Sequence, residues 1–72
     1  MGKAAPNRLR VWRAERRMTQ LTLARKAKMN VARISFFENG LDEPDKDERK
    51  TLARVLGAPV VDVFPEHEAM AS

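Results

Sequence analysis

The residues best suited to chemistry in this chain are basic and amide side chains, which bind anions, rather than groups that could catalyse a reaction. The 72 residues include one histidine, His67, and no cysteine, so disulfides and thiolate metal sites are excluded. No nucleophile is paired with a base. Gly2, Gly40 and Gly57 are too far apart for a phosphate-binding loop, and Asp45-Lys46-Asp47 is too short and too poor in glycine for a calcium loop. The sequence therefore predicts no enzyme, no metal and no cofactor.

Basic residues are concentrated in one half of the chain. Residues 1–40 contain ten Lys and Arg against two acidic residues, whereas residues 41–72 contain four against eight. Clustered cations release counterions when they neutralise phosphates, so this asymmetry favours an oriented surface for a polyanion such as DNA. The alternative is that the domain is charged merely for solubility.

Five short helices must position these side chains, because apolar residues recur at helical spacing and a lone valine-rich strand near the C-terminus would have no partner. Residues that start or cap helices stand at regular intervals, and they are Asn7, Thr19, Asn30, Asp45 and Pro59. Asn39-Gly40 and Gly57 are stop signals. The first helix is expected over residues 8–17 and the third over 31–38. The sequence therefore predicts an all-α fold.

The chain is expected to hold one domain, residues 7–65, between a flexible arm of residues 1–6 and a flexible tail of residues 66–72. The first residues lack the apolar run of a signal peptide, and no apolar stretch approaches the length of a membrane span. A cytoplasmic protein is the expectation, with no membrane partner.

A frame of residues fills the middle of the chain. It consists of Thr19-Gln20-Leu21-Thr22-Leu23-Ala24, Met29-Asn30, Ile34-Ser35 and Phe37-Glu38-Asn39-Gly40, followed later by Leu56-Gly57-Ala58-Pro59. This frame resembles the helix-turn-helix family of phage repressors and Cro proteins, the XRE-type or lambda-repressor-like DNA-binding domain. The resemblance covers about residues 8–65. It implies a five-helix domain with a helix-turn-helix, which usually binds operator DNA as a dimer.

The resemblance implies that the outer face of the third helix approaches DNA bases. The candidates for base contacts are Asn30, Val31, Ala32, Arg33 and Phe36. A guanidinium can bridge two acceptors of guanine, which makes Arg33 the strongest of them, and Val31 and Ala32 would contact thymine methyl groups. Val31 and Ala32 also fit apolar packing or plain surface. Phe36 fits a thymine methyl or a sugar as well as a contact with another protein.

Phosphate contacts are expected on the first helix and near the ends of the second and third helices. The candidates are Thr19, Gln20, Arg25, Lys28, Asn39 and Arg10. Free backbone N–H groups at a helix N-terminus support the assignment of Gln20, although the same residue suits an ordinary helix surface. Asn39 resembles a phosphate contact of the family and also suits a helix cap. Each basic residue, taken singly, also fits a solvated charge.

One pair has a structural rather than a binding role by resemblance. Arg13 on the first helix is expected to pair with Glu38 at the end of the third, through a two-pronged bond that joins the two helices. Three features depart from the family. Lys28 stands in a tight turn where the family often has glycine. Basic residues replace leucines of the fourth helix, and the loop that follows the third helix is acidic. The basic residues of the fourth helix are Lys46, Arg49 and Lys50. The acidic residues of the loop are Asp42, Glu43, Asp45 and Asp47.

Two classes of function remain open at this stage. The first is a sequence-specific transcriptional regulator, expected to be a repressor that binds a palindromic operator in double-stranded DNA as a homodimer through Val60, Val61 and Phe64 of the fifth helix. The second is a protein-interaction module, such as an antitoxin, an adaptor or a phage-encoded modulator of a host protein. The second class is favoured by the acidic loop and by an apolar outer face formed by Leu21, Val31, Ala32 and Phe36.

Overall fold

Five helices follow one another in residues 7–65, the part of the chain that the computed structural model describes. They are α1 (Leu9–Glu15), α2 (Gln20–Ala27), α3 (Val31–Glu38), α4 (Lys46–Leu56) and α5 (Val60–Val63), and this part of the chain contains no strand. The predicted all-α, five-helix architecture is confirmed. The predicted arm and tail lie outside the described residues.

Three of the predicted helix caps are confirmed. The Thr19 side chain accepts a hydrogen bond from the Thr22 N–H at 3.0 Å, and Asn30 Oδ1 accepts one from the Ala32 N–H at 2.7 Å. Asp45 and Glu48 form a reciprocal capping box at the start of α4. These caps satisfy amide groups that a helix leaves unpaired at its N-terminus, and they fix where α2, α3 and α4 begin.

α1 is shorter than the sequence predicts. The expected span was 8–17, but the helix ends at Glu15. Arg17 adopts a left-handed conformation with φ of 55°, which turns the chain toward α2. A left-handed residue ends a helix and is usually glycine, so an arginine gives no sequence signal for it. Asn7 was predicted to cap this helix. Its Oδ1 accepts a hydrogen bond from the Leu9 N–H at 3.0 Å, although Arg8 is the residue directly before α1.

The core lies where the five helices meet. Its buried hydrophobic residues are Leu9, Leu23, Ala24, Ala27, Ile34, Phe37, Leu52, Ala53, Leu56, Val63 and Phe64. Helices α2, α3 and α4 supply most of them, at the helical spacing noted in the sequence. Trp12 and Val55 are half-buried and pack against this core.

Phe64 corrects one prediction. It has no exposed surface, so it cannot belong to a dimer interface as the sequence analysis expected. The backbone N–H of Phe64 donates to the Val60 carbonyl at 2.8 Å, directly after the end of α5. The ring of Phe64 is part of the buried core. Burial of a large aromatic ring removes much apolar surface from water, which the small core of this domain needs.

α1 and α5 are joined by hydrogen bonds as well as by packing. The Arg8 N–H donates to the Val63 carbonyl at 2.8 Å, and Trp12 Nε1 donates to the Asp62 carbonyl at 3.1 Å. The Arg16 guanidinium lies over the Trp12 ring at 4.6 Å.

None of the described helices is long and apolar enough to cross a membrane.

Candidate nucleic-acid interface

The Glu38 carboxylate joins α1 to the end of α3. Its side chain has no exposed surface. Arg13 donates to both of its oxygens, from Nε to Oε2 at 2.6 Å and from Nη2 to Oε1 at 3.0 Å. Arg13 Nη1 also donates to the Met18 carbonyl at 2.7 Å, in the turn before α2. One guanidinium therefore fixes α1, the start of α2 and the end of α3 in a single geometry.

Three of the residues predicted to contact phosphates lie around the same carboxylate. Gln20 Nε2 donates to Glu38 Oε1 at 3.0 Å. Arg10 Nη2 donates to Asn39 Oδ1 at 3.0 Å, and Arg10 Nε lies 3.5 Å from Glu38 Oε1. We call Arg10, Arg13, Gln20, Glu38 and Asn39 the Glu38 cluster. The bond from Gln20 to Glu38 was not expected, because nothing in the spacing of these residues indicates that their side chains meet.

The electrostatics of the cluster keep Glu38 ionised. Burial acts to raise the pKa of this carboxyl. The hydrogen bonds from Arg13, Gln20 and Arg10, with the positive charge of Arg13, outweigh burial and lower the Glu38 pKa below its ordinary value. The hydrogen bond with Glu38 raises the pKa of the Arg13 guanidinium. Both shifts favour the charged forms of the two partners at neutral pH, which agrees with the two-pronged geometry of the pair.

The outward face of α3 is largely apolar. Phe36 is 46% exposed and Val31 is 38% exposed, and Ala32 is exposed beside them. Ala32 and Phe36 are four residues apart, so they are neighbours on one face of the helix. Asn30 is also exposed, but its Oδ1 is occupied by the cap of α3, which leaves its amide N–H groups for other partners.

Arg33, the strongest of the predicted base contacts, is paired with acidic side chains in this structure. Its Nη2 lies 2.7 Å and 2.8 Å from the two carboxylate oxygens of Glu48 on α4, and its Nε lies 3.1 Å from Oε2. Nη1 lies 3.4 Å from Asp42 Oδ2, and the guanidinium packs over the Phe37 ring at 5.0 Å. In this structure the guanidinium of Arg33, a predicted base contact, is therefore engaged by Glu48 and Asp42, and its side chain is 42% exposed. The sequence showed Glu48 only as an acidic residue suited to the first turn of a helix.

The other predicted phosphate contacts lie along α2. Thr19 is exposed at its start, although its hydroxyl is engaged with Thr22. Arg25 and Lys28 are exposed near its end, beside exposed Lys26. Lys28 has φ of 57°, so the predicted tight turn holds a non-glycine residue in a left-handed conformation. At 1.5 Å per residue, the two ends of this eight-residue helix lie roughly 12 Å apart.

The loop after α3 and the outer side of α5 form two further surfaces. The loop after α3 exposes Leu41, at 60%, and the acidic side chains that follow it. On α5, Val61 is exposed and Val60 is half-buried, so only these two of the three residues predicted for a dimer interface lie at the surface.

Comparison with known proteins agrees with this geometry. A family model described as helix-turn-helix matches residues 9–63, which is most of the chain. The matched region runs from the start of α1 to the end of α5. A search of curated proteins found no match to the sequence.

Proposed function

The chain belongs to the helix-turn-helix family, a family of DNA-binding regulatory domains, and from this premise we propose that it is a sequence-specific transcriptional regulator of double-stranded DNA. We further propose that it acts as a repressor and as a homodimer on a palindromic operator. In this role it is a binding protein and not an enzyme.

The observation that carries the proposal is the exposed face of α3, set on a scaffold that the Glu38 cluster holds together. A helix enters the major groove only if its outer side chains are accessible and its orientation is fixed by neighbouring elements. Val31, Ala32 and Phe36 supply the accessible face. The bonds of Arg13 to Glu38 and to Met18 supply the fixed orientation.

Phosphate contacts would orient the domain on the duplex. Gln20 donates one amide N–H to Glu38, and an amide nitrogen carries two, so a second N–H is available for a phosphate oxygen. Arg10 likewise has more donors than its partners Asn39 and Glu38 use. Arg25 and Lys28, at the other end of α2, would contact the backbone as point charges. We retain Thr19 and Asn39 as further phosphate contacts and Asn30 as a base contact.

A homodimer would place two copies of α3 in successive major grooves. Half-sites would then be separated by about one helical turn, roughly 34 Å. Val60 and Val61 of α5 are the proposed contact between the two copies, because Val61 is an exposed apolar residue on a short terminal helix. A repressor would act by occupying the operator, which requires no domain other than this one.

Selection from a random pool of duplexes tests the proposal. We expect the protein to enrich one palindromic sequence, with half-sites one turn apart. Its affinity should fall steeply as salt rises, because phosphate neutralisation releases counterions. The variant Val31→Ser should lose enrichment. The matched control Val11→Ser, at a similarly exposed valine on α1, should keep it. A pool that stays random with the wild-type protein contradicts the proposal.

A second candidate function is supported by a separate observation. Phe36 and Leu41 are both exposed, and the Leu41 N–H donates to the Phe36 carbonyl at 2.9 Å, so the two residues are adjacent. Acidic residues of the following loop, Asp42 and Asp45, are exposed nearby. An apolar patch with an acidic rim fits a protein partner that presents apolar and basic side chains. A stoichiometric partner that is lost on Leu41→Ser, while DNA selection by the protein is absent, would favour this function.

A further inference from the structure

We propose that α3 recognises thymine through its 5-methyl group, with Val31, Ala32 and Phe36 as the specificity-determining contacts, and that Glu48 keeps Arg33 away from the bases. The inference rests on the proposed DNA-binding function, and it specifies which chemical group of the DNA bases the exposed face of α3 recognises. It replaces the hydrogen-bonded guanine contact expected of Arg33 with an apolar one.

The first support is the state of the polar side chains on α3. Asn30 Oδ1 caps Ala32, so Asn30 retains only its N–H groups for an acceptor. Ser35 is half-buried, and its Oγ lies 3.3 Å from Asn39 Nδ2. The middle of the exposed face is therefore formed by the apolar residues Val31, Ala32 and Phe36.

The second support is the set of contacts that holds Arg33 against α4. Its ion pair with Glu48 is bidentate, with the shortest distance 2.7 Å. Glu48 is itself fixed, because its Oε1 accepts the Asp45 N–H at 2.9 Å and its own N–H donates to Asp45 at 2.8 Å. Rotation of Arg33 toward a base would break charge-assisted bonds and leave the Glu48 carboxylate, whose side chain is only 20% exposed, without its cation.

The third support is the chemistry of the major groove. Thymine alone among the four bases presents a methyl group there, whereas adenine, guanine and cytosine present donors or acceptors. An apolar side chain placed over such a polar edge would remove its water without replacing the hydrogen bond. The same side chain placed over a thymine methyl buries apolar surface on both partners, which corresponds to about fourfold in affinity for each methyl group.

Replacement of thymine by deoxyuridine tests the inference directly, because it removes only the methyl group and preserves base pairing. The probe is the duplex selected from the random pool, with deoxyuridine in place of each thymine in the half-sites. We expect binding to weaken about fourfold for each thymine that α3 contacts. The salt dependence should not change, because the phosphates are unaltered. The same number of deoxyuridines outside the half-sites is the control.

Protein variants assign the effect to the named residues. Phe36→Ser should make the protein bind the thymine and deoxyuridine duplexes more nearly alike, whereas Val11→Ser should preserve the difference. The protein with Arg33→Gln should select the same preferred sequence from the random pool as the wild-type protein. Glu48→Gln should release the guanidinium and add a preference for guanine. Because this readout is a sequence preference among folded molecules, it does not depend on the overall stability of a variant.

Three outcomes would overturn the inference. Equal affinity for the thymine and deoxyuridine duplexes, with selective DNA binding intact, contradicts methyl recognition and leaves the proposed function standing. Loss of discrimination at a guanine on Arg33→Gln contradicts the role given to Glu48. The absence of any selective duplex binding overturns the inference and the proposed function together.

Discussion

At the scale of single residues, the buried Glu38 carboxylate links α1, α2 and α3 through its hydrogen bonds. A carboxylate without exposed surface must be compensated by cations and donors, since the free energy of its hydration is lost. Here Arg13 supplies a two-pronged bond, and Gln20 and Arg10 supply further donors. The same carboxylate therefore positions two residues that we assign to phosphate contact, so fold and function meet at one side chain.

Glu38→Gln tests this arrangement through stability. The change keeps the shape of the side chain but leaves the Arg13 guanidinium, only 15% exposed, without its counter-charge. We expect the free energy of unfolding to fall by on the order of 3 kcal/mol, measured by urea denaturation. The control Arg10→Gln removes a cation whose side chain is 59% exposed and should cost less than about 1 kcal/mol. Similar losses in the two variants would contradict the central place of Glu38.

The lowered pKa of Glu38 predicts a dependence of stability on pH. A folded-state pKa below that of the unfolded chain, about 4.3 for glutamate, means that the ionised group stabilises the fold at neutral pH. This contribution is complete above the unfolded pKa and is lost as pH falls through the folded one. Titration of the carboxyl carbon by NMR should give a midpoint below about 4.3. A midpoint above that value would show that burial outweighs the hydrogen bonds.

At the scale of the helices and turns, two of the left-handed residues, the non-glycine residues Arg17 and Lys28, lie in the turns that join α1, α2 and α3. Each stands where glycine would be unstrained, since a side chain in this conformation costs roughly 1 kcal/mol. Arg17 receives support from its surroundings, because Arg13 donates to the Met18 carbonyl and the Met18 N–H donates back to the Arg13 carbonyl at 3.1 Å.

Lys28→Gly should separate the structural and the binding contributions of that turn. We expect the midpoint of thermal unfolding to rise, with a gain of about 0.5 kcal/mol after the entropy of glycine is subtracted. The loss of one phosphate contact should reduce the salt dependence of DNA binding by about one unit of slope. The control Lys26→Gly lies within α2 and should destabilise the protein by about 1 kcal/mol. A destabilised Lys28→Gly would indicate that the lysine side chain itself supports the turn.

Local signals explain why much of the fold was predictable from sequence. Thr19, Asn30 and Asp45 cap helices through bonds to residues two or three positions away, and Leu23 and Ala27 share a buried stripe because of helical spacing. Contacts between distant segments gave no such signal. Nothing local indicates that Glu48 binds Arg33, and nothing distinguishes buried Phe64 from exposed Val61 in a short apolar run.

The candidate site also combines features that were predictable from local sequence with features that depend on contacts between distant segments. The apolar outer face of α3 follows from the helical positions of its buried residues Ile34 and Phe37, so Val31 and Phe36 were expected outside. The pairing of Arg13 with Glu38 was implied by the family resemblance and is present. The withdrawal of Arg33 depends on where α4 lies relative to α3, which is a property of the tertiary packing.

At the scale of the whole molecule, the proposed homodimer depends on α5. With Phe64 in the core, Val61 is the exposed apolar residue of this helix. Val61→Asp should shift sedimentation equilibrium toward the monomer and weaken binding to the palindrome more than binding to a single half-site. The control Val11→Asp places the same charge at an exposed valine of α1. If Val61→Asp leaves both the mass and the preference for the palindrome unchanged, the dimer contact lies elsewhere.

The most direct test of the central claim is the ratio of dissociation constants for a scrambled and a selected duplex of equal composition, measured at physiological salt. If α3 reads the DNA sequence, the wild-type protein should prefer the selected duplex by at least about 10³-fold. Phe36→Ser should reduce that ratio by about tenfold or more, and Val11→Ser should preserve it. A wild-type ratio near one, with both duplexes bound only through their phosphates, would contradict the claim that this protein recognises a DNA sequence.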